Sequence, residues 1–215
     1  MWTWSLNWGD ITPHIVIGTC PMTPDDVVRI SEKTGASALF SLQHDDCLAY
    51  WQIDDDTMRR TAEEINVVMA RCPIRDFDIA DMRKNLPGAI STLTRLITAG
   101  HRTYVHCTAG LGRAPLTVLG YLILIEKYPK QAAIRLLMNG RPGAVPAWEA
   151  FYGACYDLEA QYRKSIRKRA YALYVSKANN DPLLDLKQAK SDIFKSELTA
   201  LGCQPPKNTP IDFTQ

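Results

Sequence analysis

The sequence predicts an α/β protein with a central, mainly parallel twisted sheet, helices on both of its faces and a C-terminal helical extension. Short β-branched or apolar runs alternate with helical patterns up to about residue 115, and the pattern beyond is continuously helical. Strands that alternate with helices favour a parallel sheet. The composition, 46% hydrophobic and 22% charged with a net charge of +2, is that of an ordinary globular domain. It excludes a disordered chain, and its charge indicates no nucleic-acid partner.

The first strand–helix–strand unit spans residues 14–42. HIVIGT (14–19) and ASALFSL (36–42) are typical of strands. The segment between them carries helix signals: Thr23 as N-cap, Pro24 in the first turn and Gly35 at the end. We therefore interpret residues 14–42 as a βαβ unit.

Two more helix–strand pairs follow. A helix over 55–68 leads into the strand 68–74, and a helix over 86–100 leads into the strand 102–107. Ligands of parallel sheets bind at the carboxyl ends of the strands. The end of the strand 102–107 is thus the place to look for a functional site.

The second half of the chain predicts helices only. Apolar spacing indicates helices over residues 116–128, 130–140 and 147–162. From residue 163 the composition becomes basic (RKSIRKR), and helical patterns resume around Ile166 and over 183–198. We interpret residues 1–162 as the main domain and 163–215 as a helical hairpin with a loose tail. The basic run is more typical of a solvated helix face than of a binding surface.

The cysteines and the apolar runs indicate the compartment. The six cysteines are scattered and include no CxxC pair, which favours free thiols in a reducing environment. The longest apolar run, 116–125, is shorter than the ~20 residues that span a bilayer. The amino end has no basic region before an apolar stretch, so no secretory signal is expected. We expect a cytoplasmic protein without a membrane partner, or a plastid one if a transit peptide is missing from this chain.

The stretch YVHCTAGLGRAP joins the last predicted strand to a helix. A strand end, a glycine-bearing loop and a helix start form a nest whose backbone N–H groups converge on an anion. The pattern GxxxxGK[ST] of nucleotide loops is absent, and the loop contains no Lys. The sequence therefore predicts a phosphate-binding loop made of Thr108, Ala109, Gly110, Leu111, Gly112 and Arg113.

Cys107 lies at the base of this loop and is the predicted nucleophile. A thiol beside a guanidinium at a helix N-terminus has a pKa of roughly 3.5 to 7.5 instead of about 8.5, which makes the thiolate the resting form. The fork of Arg113 can hold two phosphoryl oxygens at once. His106 is expected to brace the loop and tune the thiol rather than to transfer a proton. Neither metal nor cofactor is expected, because Arg113 and the backbone amides neutralise the phosphate.

HCTAGLGR resembles the HCxxGxxR signature of the cysteine-based protein tyrosine phosphatase superfamily, and the short chain resembles its dual-specificity branch. The resemblance implies a protein tyrosine phosphatase-like fold and a two-step reaction. In the first step the Cys thiolate takes the phosphoryl group, and in the second water hydrolyses the phosphocysteine. This route requires a general acid for the leaving oxygen.

Three aspartates in RDFDIAD compete for the role of the acid. In the family the acid lies on a loop about thirty residues before the Cys, and Asp76, at 31 residues before Cys107, fits best. Asp78 is the second choice, and Asp81 the third. Either of the first two could instead cap the helix that follows.

A narrower resemblance concerns three segments together: SLQHDDCLAYWQID (41–54), PIRDFD (73–78) and HCTAGLGRAP. They resemble the plant glucan phosphatases, in which aromatic residues line a channel for glucosyl rings. The resemblance implies that Tyr50, Trp51 and Phe77 bind substrate, since aromatic faces pack on the apolar faces of sugars. Alternatively, Tyr50 and Trp51 are ordinary core or surface aromatics.

Ala114 departs from the superfamily, most of which has Ser or Thr after the Arg to help the thiolate leave. The glucan phosphatases share the Ala-Pro pair, so the departure supports the narrower resemblance. It also implies slow turnover of small artificial substrates.

Three functions follow as hypotheses. The first is a phosphatase for phosphorylated glucans, and the second is a dual-specificity protein phosphatase acting on phosphotyrosine and phosphothreonine. The third is a catalytically feeble protein that recognises phosphorylated partners through the loop and docks through residues 163–200. The sequence does not predict an oligomeric state.

Overall fold

The structure is a computed structural model and describes residues 3–177, 179 and 181–201. Five strands form one sheet: β1 (Trp8–Thr12), β2 (Ile15–Gly18), β3 (Ala38–Gln43), β4 (Val68–Ile74) and β5 (Thr103–His106). Their order across the sheet is β1-β2-β5-β3-β4. β1 pairs with β2 antiparallel, and all other pairs are parallel. The predicted mainly parallel sheet is confirmed.

Nine helices are described, and all but α1 follow β3 or a later strand in the chain. They are α1 (Pro24–Thr34), α2 (Asp45–Trp51), α3 (Asp55–Glu64), α4 (Ile79–Thr98), α5 (Arg113–Leu124), α6 (Lys130–Gly140), α7 (Trp148–Gln161), α8 (Arg163–Val175) and α9 (Pro182–Ala200). No helix within the described residues is long and apolar enough to cross a membrane.

Local signals set the ends of α1. Thr23 and Asp26 form a capping box at its start, and Gly35 ends it in the left-handed conformation at φ 68°. Only glycine adopts this conformation without strain. The predicted helix is therefore confirmed at both ends.

The sheet separates two apolar layers. Alternate strand residues such as Val16, Leu39 and Tyr104 face the smaller layer, which α1 and α3 cover through residues such as Ile30 and Met58. The opposite strand face packs against the larger layer. That layer includes Ile17, Phe40, Val105, Leu93, Leu119, Leu137, Phe151 and Phe194. Helices therefore lie on both faces, as predicted.

The sequence reasoning missed two elements and misplaced a third. β1 buries only Ile11, so its alternation is too weak to indicate a strand. α2 has only seven residues, none of them buried. The helix predicted over 86–100 begins earlier: α4 starts at Ile79 and runs through Pro87.

The predicted C-terminal helices are present as α8 and α9. Ile166, Leu173, Phe194 and Leu198 are buried in the same apolar layer as the sheet. The two helices therefore pack on the main body. The predicted loose tail, 203–215, lies outside the described residues.

The free thiols expected from the cysteine pattern are found at four positions, Cys20, Cys47, Cys107 and Cys155. Cys72 departs from that expectation, because it is disulfide-bonded. Burial raises the pKa of Cys155 to about 11, so its thiol is protonated at neutral pH.

β1 and the end of α6 approach so closely that only glycines fit between them. A Cβ on Gly9 would lie 1.6 Å from the carbonyl oxygen of Gly140, and a Cβ on Gly140 would lie 2.1 Å from that of Asp10. Backbone atoms cannot move aside as flexible side chains can. We call this contact the glycine crossing.

We predict that Gly140→Ala lowers the free energy of unfolding by about 1 to 3 kcal/mol, because the added methyl forces the two backbones apart. Urea denaturation measures the loss. The control is Gly153→Ala in α7, where the new Cβ meets only the flexible side chain of Arg83. There the better helix propensity of Ala is worth up to about 1 kcal/mol. Equal stability of both variants would contradict the steric role of the glycine crossing.

Candidate active site

The loop after β5, residues 108–112, lies at the carboxyl end of the sheet. We call the space between this loop, Cys107 and Arg113 the cradle. Cys107 follows the last strand residue and is only 3% exposed, and Arg113 opens α5. Gly110 has φ 68°, and a Cβ there would lie 2.3 Å from the Gly18 oxygen. The structure thus brings Cys107, the loop 108–112 and Arg113 together as the sequence predicted.

Arg113 is fully buried and is bonded on several sides. Its Nη1 donates to the oxygen of Ile74 at 2.9 Å and to the Cys47 sulfur at 3.3 Å. Its Nη2 donates to Asp76 Oδ2 at 2.8 Å and to Thr108 Oγ1 at 3.2 Å. The guanidinium therefore connects the loop, the strand β4 and the segment after it.

One donor of Arg113 remains. Nε is buried and has no hydrogen-bond partner among the described residues. A buried, unpaired donor is costly and calls for an explanation. Burial would lower the pKa of Arg113, but Cys107 and Asp76 raise it further, so the side chain stays a cation.

The three competing aspartates have different surroundings. Asp76 lies on the guanidinium of Arg113. Asp78 is the N-cap of α4 and accepts from the Asp81 amide at 2.9 Å. Asp81 accepts from the Arg75 amide at 2.7 Å. Of the three, Asp76 is the one bonded to a predicted site residue, whereas Asp78 and Asp81 hold the segment that carries it.

His106 lies behind the loop and not at its opening. Its ring is 2% exposed, and Nδ1 lies 3.3 Å from the carbonyl oxygen of Cys107. A carbonyl only accepts, so Nδ1 carries the proton in this contact. Burial lowers the pKa of His106 to about 4, which keeps the ring neutral. This geometry suits the bracing expected from the sequence.

Two polar groups from neighbouring segments bond to Thr108 of the loop. Gln43 is buried at the end of β3, and its Nε2 donates to Thr108 Oγ1 at 3.3 Å. The backbone N–H of Cys20 donates to the oxygen of Thr108 at 3.1 Å. Burial and the nearby Cys107 raise the pKa of the Cys20 thiol to about 12, so Cys20 remains protonated.

The three predicted substrate-binding aromatics lie on two segments beside the cradle. α2 carries Cys47, which touches Arg113, together with Tyr50 and Trp51. Phe77 follows Asp76 directly. Tyr50 is 78% and Phe77 92% exposed, so neither belongs to the core, and Trp51 is half-buried with its ring edge-on to Tyr50 at 5.3 Å.

The two segments are tied to each other. Arg75 Nη1 donates to Asp46 Oδ2 at 2.7 Å, which joins the segment before Asp76 to the first turn of α2. Phe77 has a positive φ of 58°, an uncommon conformation for a non-glycine residue. Strained backbone persists where its surroundings hold it. Here the bonds of Arg75 and Asp81 hold it.

Sequence reasoning missed three residues of the site. Cys47, Gln43 and Arg141 all contact the loop or Arg113, yet each comes from a distant part of the chain. Arg141 is buried and donates to two carbonyl oxygens of the loop. The sequence offered no signal for Arg141, because an arginine in a turn such as RPGAVP is normally exposed.

Comparison with known proteins now identifies the family. Residues 47–161 match the catalytic domain of the dual specificity phosphatases. The chain belongs to this family. It therefore carries the catalytic domain of a cysteine-based phosphatase, and the resemblance drawn from HCTAGLGR is confirmed.

The curated relatives of this family member include plant proteins. Phosphoglucan phosphatase DSP4, amyloplastic, from Castanea sativa is 36% identical over 163 residues, which are 75% of this chain and 43% of the relative. Phosphoglucan phosphatase LSF1, chloroplastic, from Arabidopsis thaliana is 32% identical over 155 residues, 72% of this chain and 26% of the relative. The chain thus spans less than half the length of either relative.

The solved structures agree in fold. The crystal structure of PTPMT1 matches 68% of this chain and 90% of that chain with a TM-score of 0.53, at 16% sequence identity. At this identity the match shows the fold alone. The predicted protein tyrosine phosphatase-like fold is confirmed.

We predict that His106 makes the protein less stable as the pH falls from 6.5 to about 4. Its folded pKa is about 4 against an ordinary value of 6.5, so in this window the unfolded chain binds a proton that the folded one does not. The free energy of unfolding therefore declines with falling pH by about 3 kcal/mol in total from this group.

Urea denaturation at several pH values measures this slope, and His106→Asn is the matched control. Asn keeps an N–H donor near the Cys107 carbonyl but does not titrate. The difference in unfolding free energy between the two proteins should change over that pH window. A constant difference would show that His106 does not have the lowered pKa.

Proposed function

We propose that the protein is a metal-independent phosphatase that hydrolyses phosphate monoesters of glucans through a phosphocysteine. The observation that carries this proposal is Arg113: it is buried beside Cys107, it binds Asp76, and its Nε donor has no described partner. A phosphoryl oxygen would satisfy that donor. The same guanidinium would then hold the nucleophile, the phosphate and the acid in one geometry.

The proposed reaction has two steps. The Cys107 thiolate attacks phosphorus, the bond to the leaving oxygen breaks, and Asp76 gives its proton to that oxygen. Asp76 then takes a proton from water, which attacks the phosphocysteine and releases inorganic phosphate and the thiolate. Arg113 and the loop amides of residues 108–112 neutralise the charge that develops on the equatorial oxygens.

Three observations support a glucan as the substrate. The exposed rings of Tyr50 and Phe77 stand on the two segments that touch Arg113, and Arg75 joins these segments through Asp46. Aromatic faces beside a phosphate cradle suit a chain of glucosyl units. The relatives in Castanea and Arabidopsis are phosphoglucan phosphatases by name. The protein would then act in starch or glycogen metabolism, in the cytoplasm or a plastid.

The division of the chain is part of this proposal. We take residues 1–162 as the catalytic unit and 163–215 as an appended helical segment. α8 and α9 contribute to the apolar layer, and none of their residues takes part in a described bond to the loop or to Arg113. A dual-specificity protein phosphatase is the alternative function. The relative rates on a phosphorylated glucan and on a phosphotyrosine peptide separate the two functions.

We predict that the enzyme releases phosphate from phosphorylated amylopectin faster than from a phosphotyrosine peptide, and that Cys107→Ser abolishes both. Tyr50→Ala should lower the amylopectin rate about 3- to 10-fold, because one stacking face is lost, and leave p-nitrophenyl phosphate hydrolysis within twofold.

The matched control is Tyr171→Ala, a tyrosine of similar exposure on α8, which should leave all rates unchanged. A higher rate on the peptide would overturn the glucan substrate and keep the phosphatase chemistry. Activity that survives Cys107→Ser would overturn the chemistry itself.

We further predict that Asp76→Asn lowers kcat on a glucan ester by about 100- to 10,000-fold, the usual contribution of a general acid. The loss should be smaller on p-nitrophenyl phosphate, whose leaving group needs little protonation. Asp78→Asn is the control, because Asn caps a helix as well as Asp does. The reverse pattern in steady-state kinetics would assign the acid to Asp78.

A further inference from the structure

The carbonyl oxygens of the phosphate loop are hydrogen-bonded on its outer side. Five successive carbonyl oxygens, those of residues 107–111, each accept a hydrogen bond. The donors in order are His106 Nδ1 at 3.3 Å, the Cys20 amide at 3.1 Å, Arg141 Nη2 at 2.8 Å, Arg141 Nε at 3.2 Å and the Val145 amide at 2.7 Å. The loop is thus held by its carbonyls from outside.

Holding the carbonyls also orients the amides. In a trans peptide the C=O and the N–H of the next residue point in opposite directions. A carbonyl fixed outward therefore aims the following N–H inward. Ala109 and Gly110, whose oxygens bond to Arg141, control in this way the amides of Gly110 and Leu111.

Arg141 is the side chain that serves two of these carbonyls. It is only 8% exposed, and its third nitrogen, Nη1, donates to Asn7 Oδ1 at 2.6 Å. All three nitrogens of the guanidinium are therefore bonded. The planar fork of an arginine can reach two adjacent carbonyls and an amide at once, which a lysine cannot.

The glycine crossing explains how Arg141 reaches the loop. Arg141 follows Gly140 directly. The contact of Gly140 with β1 holds the end of α6 against this strand, which is the neighbour of β2 in the sheet. Gly110 adds a second close approach, because a Cβ there would lie 3.0 Å from Arg141 Nη2. The position of the loop therefore depends on the buried Arg141 and on three glycines, Gly9, Gly110 and Gly140.

We propose that Arg141 is a positioning residue of the phosphate loop: by holding the oxygens of Ala109 and Gly110 outward, it aims the amides of Gly110 and Leu111 at the phosphoryl oxygens. This inference rests on the proposed phosphatase function. The proposed role requires no contact between Arg141 and the phosphate. The positive charge of Arg141 lies near Cys107 and favours an anion in the cradle as well.

The experiment compares Arg141→Met and Arg141→Lys with wild type and with Arg83→Met. Arg83 pairs with Asp157 on the surface between α4 and α7, so its loss removes an ion pair far from the loop. The readouts are kcat and KM on p-nitrophenyl phosphate per folded molecule, and the dissociation constant of orthovanadate, an oxyanion that binds without turnover.

We expect Arg141→Met to lower kcat about 100-fold, the usual effect of losing a preorganised oxyanion donor, and to weaken orthovanadate about 10-fold or more. KM should change less than kcat, because the amides matter most when charge develops. Arg141→Lys should recover part of the loss, since it can hold one of the two carbonyls. Arg83→Met should match wild type in both readouts.

A purely structural role would lower the melting temperature and leave kcat per folded molecule and the orthovanadate constant within twofold of Arg83→Met. That result would overturn the inference. If Arg141→Met does not fold, Asn7→Ala decides: it removes the outer anchor of Arg141 together with the exposed bonds from the Asn7 amide nitrogen to Ser5, and it should weaken orthovanadate by 2- to 5-fold. Unchanged orthovanadate binding there would equally overturn it.

The two proposals fail in different ways. If wild type hydrolyses no ester but binds orthovanadate, and Arg141→Met weakens that binding, the phosphatase function is wrong and the positioning role stands. If wild type hydrolyses esters and the Arg141 variants match it, the positioning role is wrong and the function stands.

Discussion

The buried guanidinium of Arg113 is the interaction on which the rest of the site depends. Burying a cation is costly unless partners offset the lost hydration, so the partners of Nη1 and Nη2 must be held in fixed positions. Those partners come from the ends of β3 and β4, from α2 and from the segment of Asp76. The strand order β5-β3-β4 places these ends side by side. The partners of Arg113 therefore depend directly on the strand order of the parallel sheet.

The phosphate loop imposes a second constraint. Its amides can face an anion only if its carbonyls find donors elsewhere, because a buried carbonyl without a partner is costly. Apart from His106, the donors belong to segments that carry no chemistry of their own: the residues after β2, the end of α6 and the turn before α7. This requirement explains why β1, which buries little, packs so tightly on α6. Its role is to place neighbours of the loop.

The substrate side of the cradle is built differently. α2 and the segment of Asp76 and Phe77 are polar and exposed, and ion pairs such as that of Arg75 with Asp46 hold them together. Exposed ion pairs are worth little energy, so these segments can adjust more easily than the loop. A rigid phosphate site with an adjustable rim would suit the polymeric substrate that we propose. α8 and α9, in contrast, extend the apolar layer.

The sequence by itself predicted the family, the candidate site and most of the fold. The alternation of strand and helix patterns predicted the parallel sheet, and HCTAGLGR predicted Cys107, the loop and Arg113, because both signals are local in the chain. Local signals also indicated the start of α1 and a capping aspartate before α4. The spacing from Cys107 favoured Asp76 and left Asp78 as the second choice, since an aspartate can serve either as the acid or as a helix cap.

Only the tertiary structure decided which residues contact Arg113 and the loop. Asp78 proved to be the cap, and Asp76 lies on Arg113. Arg141, Gln43 and Cys47 reach the site from segments far apart in the chain, and no periodicity or motif marks them. β1 and α2 were missed because each is short and buries almost nothing, so their positions depend on packing and on ion pairs rather than on their own pattern. Contacts between distant segments depend on how the surfaces of those segments fit together. No local stretch of sequence indicates this fit.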